Sequence, residues 1–349
     1  MHIIIPLAGI GSRLRPLTYT TPKPLVQVAG KTVLGHVLDS LQGVPIDDLV
    51  FIVGYLGEQI EKYVKSTFPQ YRTHFVEQKE LNGQSGALAL TRELVSQDVL
   101  IIFGDTVVEA DLSGLGEIEN DGVIFTKEVD DPRRFGVVRT DGPYITRFVE
   151  KPKEFVSNLA VGGVYYIKDS ARLFAAIDEQ ISRQVQLNNE YFLADALQIM
   201  VDHGARLSTR PLSSWFDCGT TQSLLDSNRY LLQKTISISA DLNGCTIIPP
   251  VSIAQSAKLN NSIIGPHVSI GENVSITDSR VGPFVSIADA SCIKRSIIQD
   301  SILNQSSQIE DAMLTDSLVG NHAHVKGKFD RLIVGDTSEV DSSNNQGGA

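Results

Sequence analysis

His2-Ile3-Ile4-Ile5-Pro6-Leu7-Ala8 runs directly into Gly9-Ile10-Gly11-Ser12-Arg13-Leu14-Arg15-Pro16-Leu17-Thr18, and Pro22-Lys23-Pro24-Leu25 follows. The first seven residues are an apolar run rich in isoleucine, the pattern of a strand buried on both faces of a parallel sheet. A glycine turn straight after such a strand falls where an open parallel sheet forms its ligand crevice. Gly9 and Gly11 lack a Cβ, so the backbone from Ala8 to Ser12 can turn sharply, present N–H groups and admit phosphate oxygens. Arg13 offers a planar fork of donors and Lys23 a compact ammonium. Arg15 and Lys31 add positive charge, and no Asp or Glu occurs before Asp39 in a chain whose formal net charge is −11. A bare G-x-G also describes an ordinary strand-to-helix turn. Joined to Arg13, Lys23 and the prolines that stiffen the Lys23 loop, it points to an anion site.

At 349 residues the chain is long enough for two domains with a sizeable core, and 20% charged residues is ordinary for a globular protein. The acidic balance argues against nonspecific nucleic-acid binding, which needs a basic face. Cys218, Cys245 and Cys292 are too widely spaced for a disulfide framework or a zinc knuckle and fit a reducing compartment. No apolar run approaches the ~20 residues that span a bilayer, so no membrane partner is expected and the cytoplasm is the expected location.

Beyond the loop, apolar strand runs (Leu49 to Val53, Thr73 to Val76, Val99 to Phe103) alternate with segments of helical spacing (Thr32 to Leu41, Gly57 to Val64). That alternation predicts a doubly wound, mainly parallel α/β sheet. Gln78 and Gly83 leave the third of these strands. An amide there can pair with a base edge, although a polar helix start reads the same way. Asp105 ends the next strand, at the crevice mouth, where a carboxylate can hold a hard cation or cap the following segment. Glu150-Lys151-Pro152 ends a group of short strands. Lys151 could clamp a monophosphate, and Glu150 could accept hydrogen bonds from sugar hydroxyls. Asp217, within Trp215-Phe216-Asp217-Cys218-Gly219, supplies a second carboxylate far from Asp105 in sequence. Trp215 reads as core.

On these residues the chain resembles the sugar-1-phosphate nucleotidyltransferases, or NDP-sugar pyrophosphorylases. Their signature of a Gly-rich turn, Arg-Leu-x-Pro-x-Thr and Pro-Lys-Pro is matched from Gly9 to Leu25, with the shorter glycine spacing familiar from bacterial UTP-glucose-1-phosphate enzymes. The resemblance implies a Rossmann-like fold. It also implies nucleotide contacts from Ala8, Gly9, Gly11, Ser12, Gln78 and Gly83, catalytic roles for Arg13 and Lys23, and Mg²⁺ held by Asp105 and Asp217. Sugar-phosphate contacts would come from Gly136, Glu150, Lys151, Val161 and Tyr165. Asn188-Asn189-Glu190-Tyr191 resembles a family segment near the sugar. Thr106 stands where thymidylyl enzymes often carry Asn.

Near Thr235 the composition shifts and helical spacing disappears. Ile263-Ile264-Gly265-Pro266-His267-Val268-Ser269-Ile270 returns seventeen residues later as Arg280-Val281-Gly282-Pro283-Phe284-Val285-Ser286-Ile287. Aliphatic residues come every six (Ile264, Ile270, Ile276, then Val281, Ile287, Ile293), the period of a β-solenoid whose stacked coils bury the repeated positions. This stretch resembles the left-handed parallel β-helix of hexapeptide-repeat proteins. The expected organisation is a nucleotidyltransferase domain over 1–235, a β-helix over 236–335 serving as lid, spacer or homo-oligomer surface, and a disordered tail over 336–349.

The expected reaction joins an NTP, with dTTP or UTP favoured, to a sugar 1-phosphate, with glucose 1-phosphate favoured. The alternatives are a mannose-1-phosphate guanylyltransferase, a bifunctional enzyme whose β-helix is an acyltransferase using His267, His322 or His324, and a non-catalytic partner that senses NDP-sugar. A nicotinamide dehydrogenase does not fit, because the loop lacks the third glycine of the dinucleotide fingerprint.

Overall fold

The computed structural model describes residues 1–234, 237–238 and 241–342. By packing, the chain forms two units: Met1–Ile10 with His36–Trp215, and Gly11–Gly35 with Phe216–Ala349. This grouping differs from a division in chain order, because the loop that carries Arg13 and Lys23 packs with the carboxyl-terminal part. The boundary expected at 235/236 lies outside the described residues.

The first unit is built on a nine-stranded sheet. Its first four strands in spatial order are Thr73–Glu77, Asp48–Val53, His2–Pro6 and Val99–Ile102, all parallel. Asp48–Val53 and Val99–Ile102 flank His2–Pro6 on opposite sides, so the chain reverses its direction of travel across the sheet at that strand. This is the switch point at which such sheets open a crevice. The continuous apolar sequences are explained by burial: Ile3, Ile4 and Ile5, Leu49 to Ile52, and Val99 to Ile101 are wholly enclosed. Beyond Val99–Ile102 the sheet is mixed. Leu159–Ile167 pairs antiparallel with Val99–Ile102 and with Gly122–Glu128, and Gly136–Asp141 pairs with Tyr144–Glu150 at the edge.

Helices Val33–Asp39 and Gly57–Thr67 follow the predicted spacing, and Asp169 precedes a third helix, Ser170–Ser182, with Leu193–Asp202 a fourth. Asp169 caps helix Ser170–Ser182 by accepting from Ala171 N–H at 2.9 Å and Arg172 N–H at 3.4 Å, which fixes where the helix starts.

In the second unit, parallel strands stack with the registers Ile253↔Ile270↔Ile287↔Leu303↔Val319↔Val334 and Leu259↔Ile276↔Ile293↔Ile309↔Val325↔Val340. This is the expected parallel β-helix. The six aliphatic positions singled out from the sequence are all buried in one core. Corner residues Asn261, Asp278 and Asp311 take left-handed backbone, a conformation short polar side chains adopt at lower cost than most, and Arg295 takes it at the equivalent corner.

One expectation is corrected. The composition predicts disorder from residue 336, yet Glu339–Asp341 pairs in parallel with the strand at His324–Lys326, and Asp336 is tied by hydrogen bonds. A Ser/Asn-rich composition does not prevent this, because a β-ladder is made by backbone groups. Residues 343–349 of that tail lie outside the described residues.

The loop 11–35 is held inside this unit. Gln27–Val28 and Lys31–Thr32 form a two-residue hairpin closed by Ala29 and Gly30. Helix Thr221–Leu232 starts at a Thr220 cap with a reciprocal Ser223 bond and carries Asn228.

Candidate active site

The residues singled out from the sequence fall in both units, and the structure gathers them into small groups within each.

In the sheet unit, Gly136 and Glu150 face each other across an antiparallel pair. A Cβ at residue 136 would stand 2.8 Å from Glu150 Oε2, so the glycine makes room for this carboxylate. Lys151 takes left-handed backbone at φ 43, a strained conformation of the kind concentrated at functional positions. Its Nζ lies 3.7 Å from Glu150 Oε1 and 4.5 Å from the centre of the Phe192 ring. The ammonium thus sits between a carboxylate and an aromatic face and remains half-exposed. Burial raises the Glu150 pKa above the ordinary carboxylate range, Asp195 and Glu190 push it the same way, and Lys151 opposes them.

Tyr165 is buried, and its phenol is shifted up first by burial and then by the carboxylates of Glu150 and Asp105. The strand that carries it bulges between Val161 and Tyr165. Gly162 and Gly163 make this bulge feasible. A Cβ on the first would strike Leu212 Cδ1 at 2.0 Å, and the second has φ 79 and lies against Phe103. Asp105 follows strand Val99–Ile102 at its carboxyl end, half-buried, and Thr106 Oγ1 donates to its Oδ1 at 3.2 Å.

Gln78 and Gly83 form a second group. The Gln78 amide nitrogen lies 3.4 Å from Gly83 O and from Asn82 Oδ1. Gly83 has φ 104, and a Cβ there would meet Tyr191 N at 2.4 Å. Tyr191 N–H donates to Asn82 O and Ser85 N–H to Tyr191 O, so the loop is zipped to the segment at Glu190-Tyr191. Ala8 is buried against Gly54, whereas a Cβ at Gly9 would meet nothing within 4 Å, leaving open space beside the turn.

In the second unit, Gly11 has φ 69, and a Cβ there would press on Lys23 Cβ at 2.9 Å. The glycine is therefore what allows the turn to lie against the stem of Lys23, which is buried. Arg13 and the neighbouring Ser12 are exposed in the short turn Ser12–Leu14. A Cβ at Gly219 would stand 3.0 Å from Arg13 Nη2 and 2.6 Å from Asp217 Oδ1, so guanidinium and carboxylate converge above this glycine.

Sequence reasoning missed Phe192 and Asp195, and it read Gly219 only as part of the motif around Asp217. Phe192 is 4% exposed and reads as core, and an acidic residue in the first turn of a helix reads as a dipole partner. Trp215 and Phe135 are both half-buried and pack with ring centres 4.6 Å apart. His267 stacks flat on Phe284 at 4.8 Å, while His322 and His324 are exposed.

Asp105 and Asp217 are hard oxygen donors of the kind magnesium takes, and among the described residues no group of three or more His, Cys, Asp or Glu side chains is placed to hold a metal. One or two carboxylates completed by phosphate oxygens is the usual way a protein binds Mg²⁺ with a nucleotide. No helix among the described residues is long and apolar enough to cross a membrane.

A glycine turn at the switch point of a parallel sheet, with carboxylates at strand ends, defines a nucleotide-handling α/β protein. The chain belongs to the nucleotidyl transferase family, whose pattern matches residues 3–234. It is 33% identical over 245 residues to the bifunctional protein GlmU of Methanocaldococcus jannaschii, covering 70% of this chain and 57% of that one, so it spans little more than half the relative's length. It is 29% identical over 245 residues to the UTP–glucose-1-phosphate uridylyltransferase AglF of Haloferax volcanii, covering 67% of this chain and 98% of the relative. Among solved structures it is similar to a Bacillus anthracis protein assigned as a glucose-1-phosphate thymidylyltransferase, with TM-score 0.60 and 26% identity over 68% of this chain and 98% of the other.

Proposed function

We propose that the protein is a sugar-1-phosphate nucleotidyltransferase that joins dTTP or UTP to glucose 1-phosphate. Membership of the nucleotidyl transferase family supports the reaction class, and the names of the Haloferax and Bacillus relatives support the choice of base and sugar. The observation that carries the reading is the group at Glu150: a part-buried carboxylate beside a half-exposed ammonium, with a glycine opposite, able to take the hydroxyls and the phosphate of one small molecule.

An oxygen of the sugar 1-phosphate attacks the α-phosphorus of the NTP, the bond from that phosphorus to the oxygen bridging to the β-phosphate breaks, and pyrophosphate leaves. The attacking phosphate is already ionised near neutral pH, so the protein needs neither a general base nor a nucleophile of its own. Its task is to align two anions and offset the charge between them. Lys151 holds the incoming phosphate and Glu150 accepts from sugar hydroxyls. Arg13 and Lys23 stabilise the departing pyrophosphate, while Gln78 and the Gly83 backbone meet the base. Asp105 and Asp217 would hold Mg²⁺, which supplies positive charge between the phosphates.

Pyrophosphate release measured across a matrix of NTPs and sugar 1-phosphates, with and without magnesium, tests this. Turnover should be highest with dTTP or UTP and glucose 1-phosphate and should vanish with chelator. A preference for GTP with mannose 1-phosphate would overturn the substrate choice, and silence across the whole matrix would overturn the reaction.

A further inference from the structure

We propose that Asn228 is a positioning residue through which the β-helix sets the location of Lys23. Its activity arm rests on the nucleotidyl-transfer reading, and its structural arm rests on hydrogen bonds inside one packed unit.

Lys23 opens the turn Lys23–Leu25, and the chain passes at once into the hairpin Gln27–Val28/Lys31–Thr32. Leu25 N–H donates to Pro22 O at 2.8 Å and Val26 N–H to Lys23 O at 3.1 Å, so the Lys23 backbone moves with the hairpin. The hairpin closes through Ala29 at φ 48 and Gly30 at φ 83, the left-handed pair that suits a two-residue turn. Glycine takes this conformation freely, whereas alanine takes it against a steric cost and must be held.

Asn228 does the holding. Its Oδ1 accepts from Ala29 N–H at 2.9 Å and from Ser286 Oγ at 2.5 Å, and its Nδ2 donates to Phe284 O at 3.2 Å. One amide thus joins the hairpin turn to a coil of the β-helix. Asn228 is 1% exposed and Ser286 2%, so solvent has little access to replace a lost bond. The turn also lies close on the neighbouring coil, where a Cβ at Gly30 would stand 2.4 Å from Ser269 Oγ. Ser269 and Ser286 occupy equivalent positions of successive coils, and their small side chains let the hairpin approach.

The other end of the segment is tied as well. Asp336 Oδ2 accepts from Thr20 Oγ1 at 2.6 Å and Asn321 Nδ2 at 3.0 Å, and Asn321 also donates to Thr21 Oγ1 at 3.2 Å. The loop that carries Arg13 and Lys23 is anchored on both sides by coils of the solenoid. A displacement of the Lys23 ammonium relative to a phosphate lowers turnover steeply.

The test uses the full chain and two readouts. In Asn228→Ala, amide exchange of peptides covering 24–32 should rise about tenfold while 258–276 keeps its protection, as expected for loss of a local tie. The kcat for pyrophosphate release should fall about tenfold, with KM for sugar 1-phosphate within about twofold, a split that general destabilisation does not produce. Ser286→Ala, which leaves the Ala29 and Phe284 bonds in place, should give a smaller change in the same direction. Unchanged exchange at 24–32, or faster exchange with kcat within about twofold of wild type, overturns the proposal. If Asn228→Ala also loosens 258–276, Ser286→Ala decides: local acceleration at 24–32 supports the proposal and none refutes it. If the wild type releases no pyrophosphate with any substrate pair, the functional reading fails by itself, and the exchange arm still decides whether Asn228 holds the hairpin.

Discussion

Arg13 Nη2 and Asp217 Oδ1 stand 3.0 and 2.6 Å from the point where a Cβ on residue 219 would be, so the cation and the carboxylate share the space a glycine leaves open. Both obstructing atoms are ends of flexible side chains, and the fold can accommodate a methyl group there by moving them. Gly219→Ala should therefore melt within a few degrees of wild type, yet lose about tenfold or more in turnover because Arg13 and Asp217 must shift. Parallel thermal melts and pyrophosphate assays check this, and full activity in the variant would remove both groups from the site.

Groups that act on developing phosphate charge are each worth about 10²–10³-fold in turnover. Asp105→Asn and Lys23→Ala are expected to fall in that range in steady-state assays at saturating substrates. Turnover within threefold of wild type in both would refute their roles.

Glu150 gives a pH prediction with opposite effects on stability and activity. Burial raises its pKa in the folded protein above the ordinary value of about 4.3. Between those two values the unfolded chain has released the proton and the folded one retains it, so stability falls as pH rises through this window. Above it the full cost of the buried charge remains. Glu150→Gln should thus raise the melting temperature at neutral pH, have little effect below the ordinary carboxylate pKa, and weaken sugar-phosphate binding throughout. Calorimetry from pH 4 to 8 gives the sign, and a variant less stable than wild type at neutral pH would show that the Lys151 pairing outweighs the burial.

Ile276 is fully enclosed in the β-helix between Leu259 and Ile293 in register. Ile276→Ala should cost about 2–5 kcal/mol, read as a shifted denaturant midpoint. Since the loop 11–35 packs in the same unit, its amide protection should weaken together with the coils.

The parallel strands were legible because Ile3 to Ile5 and Val99 to Ile102 are continuous apolar runs, and burial on both faces demands that pattern. The solenoid was legible as far as Ile293, where the coil length is a constant seventeen residues. It faded afterwards because the registers Ile287↔Leu303↔Val319 and Val319↔Val334 shorten the coils to sixteen and then fifteen. Nothing periodic marks the ties of Thr20 to Asp336 or Ala29 to Asn228. They join a Thr, an Asp, an Asn and a backbone amide across 316 and 199 positions, so the partnership of the loop with the solenoid had no signature in the sequence. The Phe192 contact with Lys151 was hidden for another reason, since a buried phenylalanine beside a helix start already has an adequate explanation as core.

The bond from Thr20 to Asp336 also sets a timetable. A chain emerging from the ribosome presents the segment that carries Arg13 and Lys23 well before Asn321 and Asp336, so that segment can reach its final form only once those residues have been made. Substrate affinity should accordingly appear only after residue 336 has been made, and nascent chains arrested before Asn321 should carry the motif without holding a nucleotide.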